Sequence, residues 1–349
     1  MKPASTKSET ADYVIRAEGF GSIDTLLSEL NIDSKAAFAQ VGLTPDILEG
    51  DNKNQNIEYR RFLDLLNYCA EITGRKDFGN LLSYYQDMTV IGLPGRAMYE
   101  APTFRAALED LIDFFHLHMN GMRVGFQEHG RISLVTLEIV MPFSPEYRQQ
   151  VELSLGIGLR FIRRLLGQDW CPNEAYFEHC KDSGSSSTQA LFRCPVNYGH
   201  EFNGYTFNSS ALDLLREQFN SRQHQILYDY LCLQNRTVKR DFLLDVREQL
   251  IHALRGGDTN IDTVSKALGL HRRTLQRRLN GRGYHYRDLL EQTRMDLANR
   301  YLRLIQMPIT QISDILGYAD LSSFSRSFRR FFGVSPRAWR KQHVSSCST

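Results

Sequence analysis

Val264-Ser265-Lys266-Ala267-Leu268-Gly269-Leu270 is echoed about 48 residues later by Ile312-Ser313-Asp314-Ile315-Leu316-Gly317-Tyr318. In each copy an apolar residue precedes a small one, and glycine stands four places beyond it. A helix-turn-helix needs this spacing. The small residue lets a second helix approach the first, and glycine takes the positive φ of the sharp turn. Beyond each glycine the pattern continues. The first copy supplies Leu275, Arg277 and Leu279; the second supplies Phe324, Arg326 and Phe328, with one extra residue in its turn. The apolar pair at i and i+4 faces inward, and the arginine between them faces away. Two helix-turn-helix units are predicted, over about 261–280 and about 309–331.

The first recognition helix, His271–Leu279, holds Arg272, Arg273, Arg277 and Arg278 together with Gln276. A run of arginines is usually a solvated face. Directly after a helix-turn-helix glycine the reading changes, because arginine pairs bidentately with guanine and glutamine with adenine in the major groove. Helical phase puts Arg273, Gln276 and Arg277 on one outward face as base contacts. Ser322, Ser323 and Arg326 hold the matching face of the second copy, which is shorter and less charged. His271, Arg272, Arg278, Arg329, Arg330 and Arg337 are candidate phosphate contacts; the last three could equally serve only to solubilise the surface. A linker helix is predicted over about 286–305. Its twenty residues span about 30 Å, close to the roughly 34 Å of one B-DNA turn. Two probes on such a rod would meet successive major grooves of one duplex.

The rest of the chain is of another kind. The 349 residues carry a net charge of +2, but the charge is split. From residue 240 onward there are 19 Lys and Arg against 10 Asp and Glu, whereas residues 1–239 hold 23 against 30. That asymmetry suits a chain of which one part meets a polyanion. Helical periodicity runs from Ile15 to Leu48 and over Ile57–Ile72. Thr103 reads as the N-cap of another helix. Strands are predicted at Arg123–Glu128 and Ile132–Val140, joined by a turn at His129-Gly130, and at Ala175–His179 and Tyr205–Phe207. A long helix is expected from Glu146 to Leu166 and a polar loop over Ser183–Ser187. The fold class is therefore multidomain. An α+β domain over 15–238 precedes an all-α domain over 239–342, in which a long helix joins the two helix-turn-helix units.

Six scattered cysteines without a CxxC pair suit a reduced, cytoplasmic protein. Neither a signal peptide nor a spanning helix is expected. His116 and His118 lie two apart on a predicted helix and do not share a face, so no metal site is expected there. No phosphate-binding glycine loop or nucleophilic constellation is evident, and neither an enzyme nor a cofactor is predicted. The aromatic residues Tyr84, Phe115, Phe126 and Tyr176 are candidates for lining a ligand pocket; the alternative is that they are core.

Over roughly 240–342 the sequence resembles the AraC/XylS family of bacterial transcription regulators. The likeness rests on Arg273-Thr-Leu-Gln-Arg-Arg-Leu279, Arg294-x-x-x-Ala298-x-x-x-Leu302, Ile312-x-x-x-Leu316-Gly-Tyr318, Ser323-Phe-Ser-Arg-Ser-Phe328 and Phe332-Gly-Val-Ser-Pro336. It implies a seven-helix DNA-binding domain on promoter DNA, with Arg273, Gln276 and Arg277, then Ser322, Ser323 and Arg326, at the base-reading positions. RNA polymerase is an implied partner. One departure is His271, where the family usually has a capping Ser or Thr. Imidazole caps less well, by about 1 kcal/mol, unless His271 itself meets a phosphate. Residues 15–215 resemble the N-terminal domain of the AraC subgroup related to ornithine and virulence-gene regulators. The carrying stretches are Phe78-Gly79, Gly92-Leu-Pro-Gly95, Pro102-Thr-Phe-x-x-Ala-Leu108 and Phe192-x-Cys-Pro-Val196 with Phe202. This likeness implies an α+β sensor that binds a small-molecule effector and forms homodimers. A ligand-responsive activator is thus expected. An orphan regulator whose N-terminal domain only dimerises, or an enzyme fused to a DNA-binding tail, are the alternatives.

Overall fold

The computed structural model describes residues 13–144, 146–181, 185–216, 219–237, 242–303 and 307–344. The described residues fall into two compact units, one on each side of 238–241. The expected junction at 238–239 falls within 238–241, outside the described residues.

In the N-terminal unit, β1 (Val14–Arg16) pairs antiparallel with β2 (Asn56–Glu58), placing Ile15 opposite Ile57. The segment expected to be helical from Ile15 thus opens as a strand. The adjacent β-branched pair Val14-Ile15 favours extended backbone. Helices α1 (Ile23–Glu29) and α2 (Ser34–Gln40) follow. Next comes α3 (Tyr59–Ile72), burying Phe62, Leu65, Leu66 and Cys69 at the predicted intervals. Helices α4 (Phe78–Leu82) and α5 (Leu93–Glu100) lead to α6 (Phe104–Phe114). Thr103 caps α6 by accepting the Ala106 N–H at 3.1 Å.

The hairpin is β3 (Met122–His129) and β4 (Ile132–Ile139). Its turn is shifted by one residue from expectation, to Gly130-Arg131, because His129 still pairs with Ile132. Along β4, Ser133, Val135, Leu137 and Ile139 alternate inward, the period of a strand with one buried face. Helix α7 (Arg148–Leu166), β5 (Glu174–Phe177), α8 (Ser185–Phe192), β6 (Val196–Tyr198) and β7 (Asn203–Asn208) complete the unit's core. The five-stranded sheet has the order β3-β4-β7-β5-β6, antiparallel except for the β5–β6 pair. The loop expected over Ser183–Ser187 is replaced from Ser185 onward by α8. Its serines have little intrinsic preference for helix, but Leu191 and Phe192 are buried and anchor it, an override of local propensity by packing. Residues 182–184 lie outside the described residues. Last comes α9 (Ser221–Thr237), which seats Leu231 against Ala97, Phe114 and Leu117.

Glycine matters where α4 meets α7. A Cβ on Gly79 would lie 2.0 Å from the Gln149 carbonyl oxygen, and the Gly79 N–H donates to Gln149 Oε1 at 2.7 Å. Any side chain there would force the two helices apart.

The regular elements of the C-terminal unit's described residues are all helices: α10 (Phe242–Arg255), α11 (Ile261–Ala267), α12 (Arg272–Asn280), α13 (Tyr286–Arg303), α14 (Ile309–Ile315), α15 (Leu321–Phe332) and α16 (Pro336–Val344). The predicted linker helix extended to 305. Helix α13 runs for 18 residues to Arg303, and 304–306 lie outside the described residues. Its buried set is wider than the stripe read from sequence. Thr293, Met295, Asp296 and Arg300 join Leu289, Leu290, Leu297, Ala298, Tyr301 and Leu302. The reason is that α13 has neighbours on several sides: α10, α14, α15 and α16 all pack against it.

Candidate nucleic-acid interface

Both helix-turn-helix units form from the repeated motif as spacing requires. Gly269 and Gly317 take φ of 64° and 69°, the left-handed geometry that ends α11 and α14. Ser265 and Ser313 are buried where the second helix of each pair crosses the first. Leu275 and Leu279 of α12, and Phe324 and Phe328 of α15, are fully enclosed and fix the rotation of each recognition helix.

That rotation decides what α12 presents. Arg273, Gln276 and Arg277 are all exposed and lie on the helix surface away from Leu275 and Leu279. Arg272 and Arg278 behave differently. Arg272 forms an ion pair with Asp262 at 3.2 Å, and Arg278 lies over the Phe242 ring of α10 at 5.6 Å, beside Arg282 at 5.1 Å. His271 is the N-cap. Its Nδ1 accepts the Arg273 N–H at 3.3 Å, a long bond beside those of usual capping side chains.

In the second unit Asp320 caps α15. It accepts the Ser323 N–H at 2.7 Å and the Ser323 hydroxyl at 2.8 Å, while Arg326 donates to the same hydroxyl at 3.1 Å. Ser323 is thereby occupied within the protein, whereas Ser322 and Arg326 are exposed. Hydrogen bonding to backbone and hydroxyl holds the Asp320 carboxyl below its usual range. Arg329 and Arg337 are exposed, and Arg330 reaches Glu291 at 3.4 Å.

Arg294 and Tyr318, which the sequence reading met only as parts of the family motifs, and several residues it did not single out hold α13 to its neighbours. Arg294 Nε donates to the Leu316 carbonyl at 2.9 Å and its guanidinium covers the Tyr318 ring at 5.2 Å. Glu291 accepts from Tyr318 Oη and from the Ser327 hydroxyl of α15. Tyr286 donates to the Thr259 carbonyl at 2.9 Å, and Arg340 to the carbonyls of Leu302 and Met307. Burial pushes the Tyr286 and Tyr318 hydroxyls up to about 12. Asp320 too had a legible signal, an Asp at the position that caps a helix start.

Within the N-terminal unit, α7, β3, β4 and the α6 end enclose an apolar cavity of about 80 Å³. Of the four aromatic candidates, Phe115 lines it. Tyr84 is exposed with Arg160 over its ring, Tyr176 meets the rings of His200 and Phe202 at a tilt, and Phe126 lies half-buried on β3. His116 bonds Asn235 at 3.0 Å, whereas His118 is in the cavity wall.

Residues 264–342 match a helix-turn-helix domain family, and residues 32–215 match the arabinose-binding domain of AraC transcription regulators. The chain belongs to the AraC family. It is a DNA-binding transcription regulator and not an enzyme. Relatives of this AraC-family regulator include the HTH-type transcriptional regulator VirS of Mycobacterium tuberculosis, 25% identical over 94% of this chain and 96% of the relative. The ornithine utilization regulator of Pseudomonas aeruginosa is 22% identical over 95% and 97%. The transcriptional activator NphR of Rhodococcus sp is 32% identical over 40% of each chain. Among the described residues no helix is long and apolar enough to cross a membrane.

Proposed function

We propose that this regulator is a cytoplasmic, ligand-responsive activator that reads two successive major grooves. Its sensor and dimerisation domain covers 15–238 and its DNA-binding domain 239–342. Arg273, Gln276 and Arg277 read bases from α12; Ser322 and Arg326 read from α15, with Ser323 contributing through its link to Arg326. Arg329, Arg330 and Arg337, with a lesser part for His271, Arg272 and Arg278, grip phosphates. The observation that carries this reading is the outward Arg273–Gln276–Arg277 face, held by the buried Leu275 and Leu279. The 18 residues of α13 span about 27 Å, suited to setting two such faces near one helical repeat apart. A homodimer that recruits RNA polymerase, and activation as by the transcriptional activator NphR, follow from the family likeness. An effector would act from the apolar cavity.

Footprinting of the purified protein on its own promoter region tests the central point. Two protected windows on one face of the duplex, about ten base pairs apart, are expected. Protection of one window, or equal affinity for bulk DNA, would overturn it.

A further inference from the structure

The cavity's wall has an unusual chemical makeup for a sensor of charged metabolites. Among the described residues that line it there is no Lys, Arg, Asp or Glu. The polar members of the wall are Gln86, His118, Gln150, Ser154 and Tyr205. Gln86 is already used, its amide donating to the carbonyls of Gly19 and Gly21. Gln150 is not fully used: Nε2 donates to Ser154 Oγ at 2.7 Å, but Oε1 is enclosed without a hydrogen-bond partner. His118 Nδ1 is likewise enclosed and unpartnered. Both side chains are more than nine-tenths buried, at 4% and 5% exposure. Buried polar atoms in native proteins are nearly always satisfied, so two orphans in one wall mark the place where something else completes them.

We propose that the cavity binds an uncharged, largely apolar small molecule bearing a hydroxyl or amide N–H, which donates to Gln150 Oε1 and hydrogen-bonds His118 Nδ1. This rests on the reading of the N-terminal domain as a ligand sensor and names the chemistry of the ligand. A carboxylate, phosphate or ammonium group would be stripped of water here with no counter-charge in the wall to meet it. Burial, helped by nearby Arg16, depresses the His118 imidazole to about 3, so it is neutral near pH 7 and offers no charge either. The volume is about half that of a cavity of about 150 Å³ that accepts benzene. Met88, Met119 and Met122 line the wall, and their flexible side chains can yield to a ring-sized guest.

The test compares four probes of similar size on the full chain: phenol, toluene, cyclohexylammonium and cyclopentanecarboxylate. Binding is followed by ligand-observed NMR and by the thermal unfolding midpoint. Phenol is expected to bind and to raise the midpoint, toluene to bind several-fold more weakly, and the two ions not at all. Gln150→Leu should remove the preference for phenol over toluene while toluene still binds. Binding of either ion as tightly as phenol overturns the proposal, as does no binding by any of the four, which would leave the cavity to water. These arms need only the unmodified protein, so they decide the matter even if Q150L does not fold. Promoter affinity is measured in parallel. Phenol binding that leaves DNA affinity and reporter output unchanged would uphold the cavity chemistry and sink the sensor reading instead.

Discussion

Arg294 in the middle of α13 donates its Nε–H to the carbonyl of Leu316, the residue that ends α14, at 2.9 Å. Its guanidinium also covers the Tyr318 ring just past the Gly317 turn. One side chain therefore satisfies an orphan carbonyl at a helix end and clamps the turn of the second helix-turn-helix. Arg294→Ala is expected to cost about 2 kcal/mol in urea denaturation, as for a charged hydrogen bond. Footprinting of R294A should weaken the α15 window more than the α12 window. Equal loss in both would show that Arg294 supports the unit as a whole.

Base reading by α12 predicts position-specific effects. Arg273→Ala or Arg277→Ala should each cost about 1–3 kcal/mol on the promoter and relax preference at one base pair. Binding measured against a set of single-base operator variants distinguishes this from phosphate contact, in which all variants lose equally.

The arginines should also divide by salt dependence. Arg329 and Arg337 are exposed, so replacing either by Ala should lower the slope of log affinity against log salt by about 1. Arg272 is held by Asp262. R272A should change the slope less, and a drop as large as that of R337A would mean that the ion pair opens on DNA.

His118 makes the N-terminal unit acid-sensitive. Its folded pKa is depressed to about 3 by burial, against 6.5 in the unfolded chain. The stabilising difference is in full force above pH 6.5. As pH falls the unfolded chain takes up a proton that the folded one refuses, so stability declines until about pH 3. The decline from this group approaches 1.4 kcal/mol per pH unit. Urea midpoints between pH 7 and 5 should fall more steeply for the native chain than for His118→Gln; parallel slopes would refute the assignment.

Gly79→Ala places a methyl 2.0 Å from the Gln149 oxygen. Because the obstacle is backbone rather than a movable side chain, the change should cost about 3 kcal/mol or more. Circular dichroism melts would reveal it, and a near-neutral result would mean that α4 can slide on α7.

The DNA-binding unit was legible because its signals are local. Val264 to Gly269 and Ile312 to Gly317 state two turns within seven residues each, and the period of Leu275 with Leu279 states which side of α12 is outward. The sheet was less so. The hairpin showed in alternation and a glycine turn, but β6 at Val196–Tyr198 pairs parallel with β5 across an intervening helix, a relationship no short window contains. Helix α8 begins in serines and is held by Leu191 and Phe192, so tertiary packing outvotes its composition. The cavity was missed for the same reason. Gln150 looks in sequence like any polar residue of an amphipathic helix, and only the sheet folding over it turns it inward. Aromatic content pointed toward Tyr84 and Tyr176, yet the wall beside Phe115 is chiefly aliphatic and methionine-rich.

Helix α13 carries a constraint of its own. Each residue of an α-helix advances the chain 1.5 Å and turns it about 100°. With α10, α14, α15 and α16 all seated on this one helix, adding or removing a single residue between Tyr286 and Arg303 would swing the later reader a quarter-circle or more out of alignment with the earlier one. On the proposed reading of two grooves, such a chain can drift toward new operators by exchanging side chains, while its half-site separation resists gradual change.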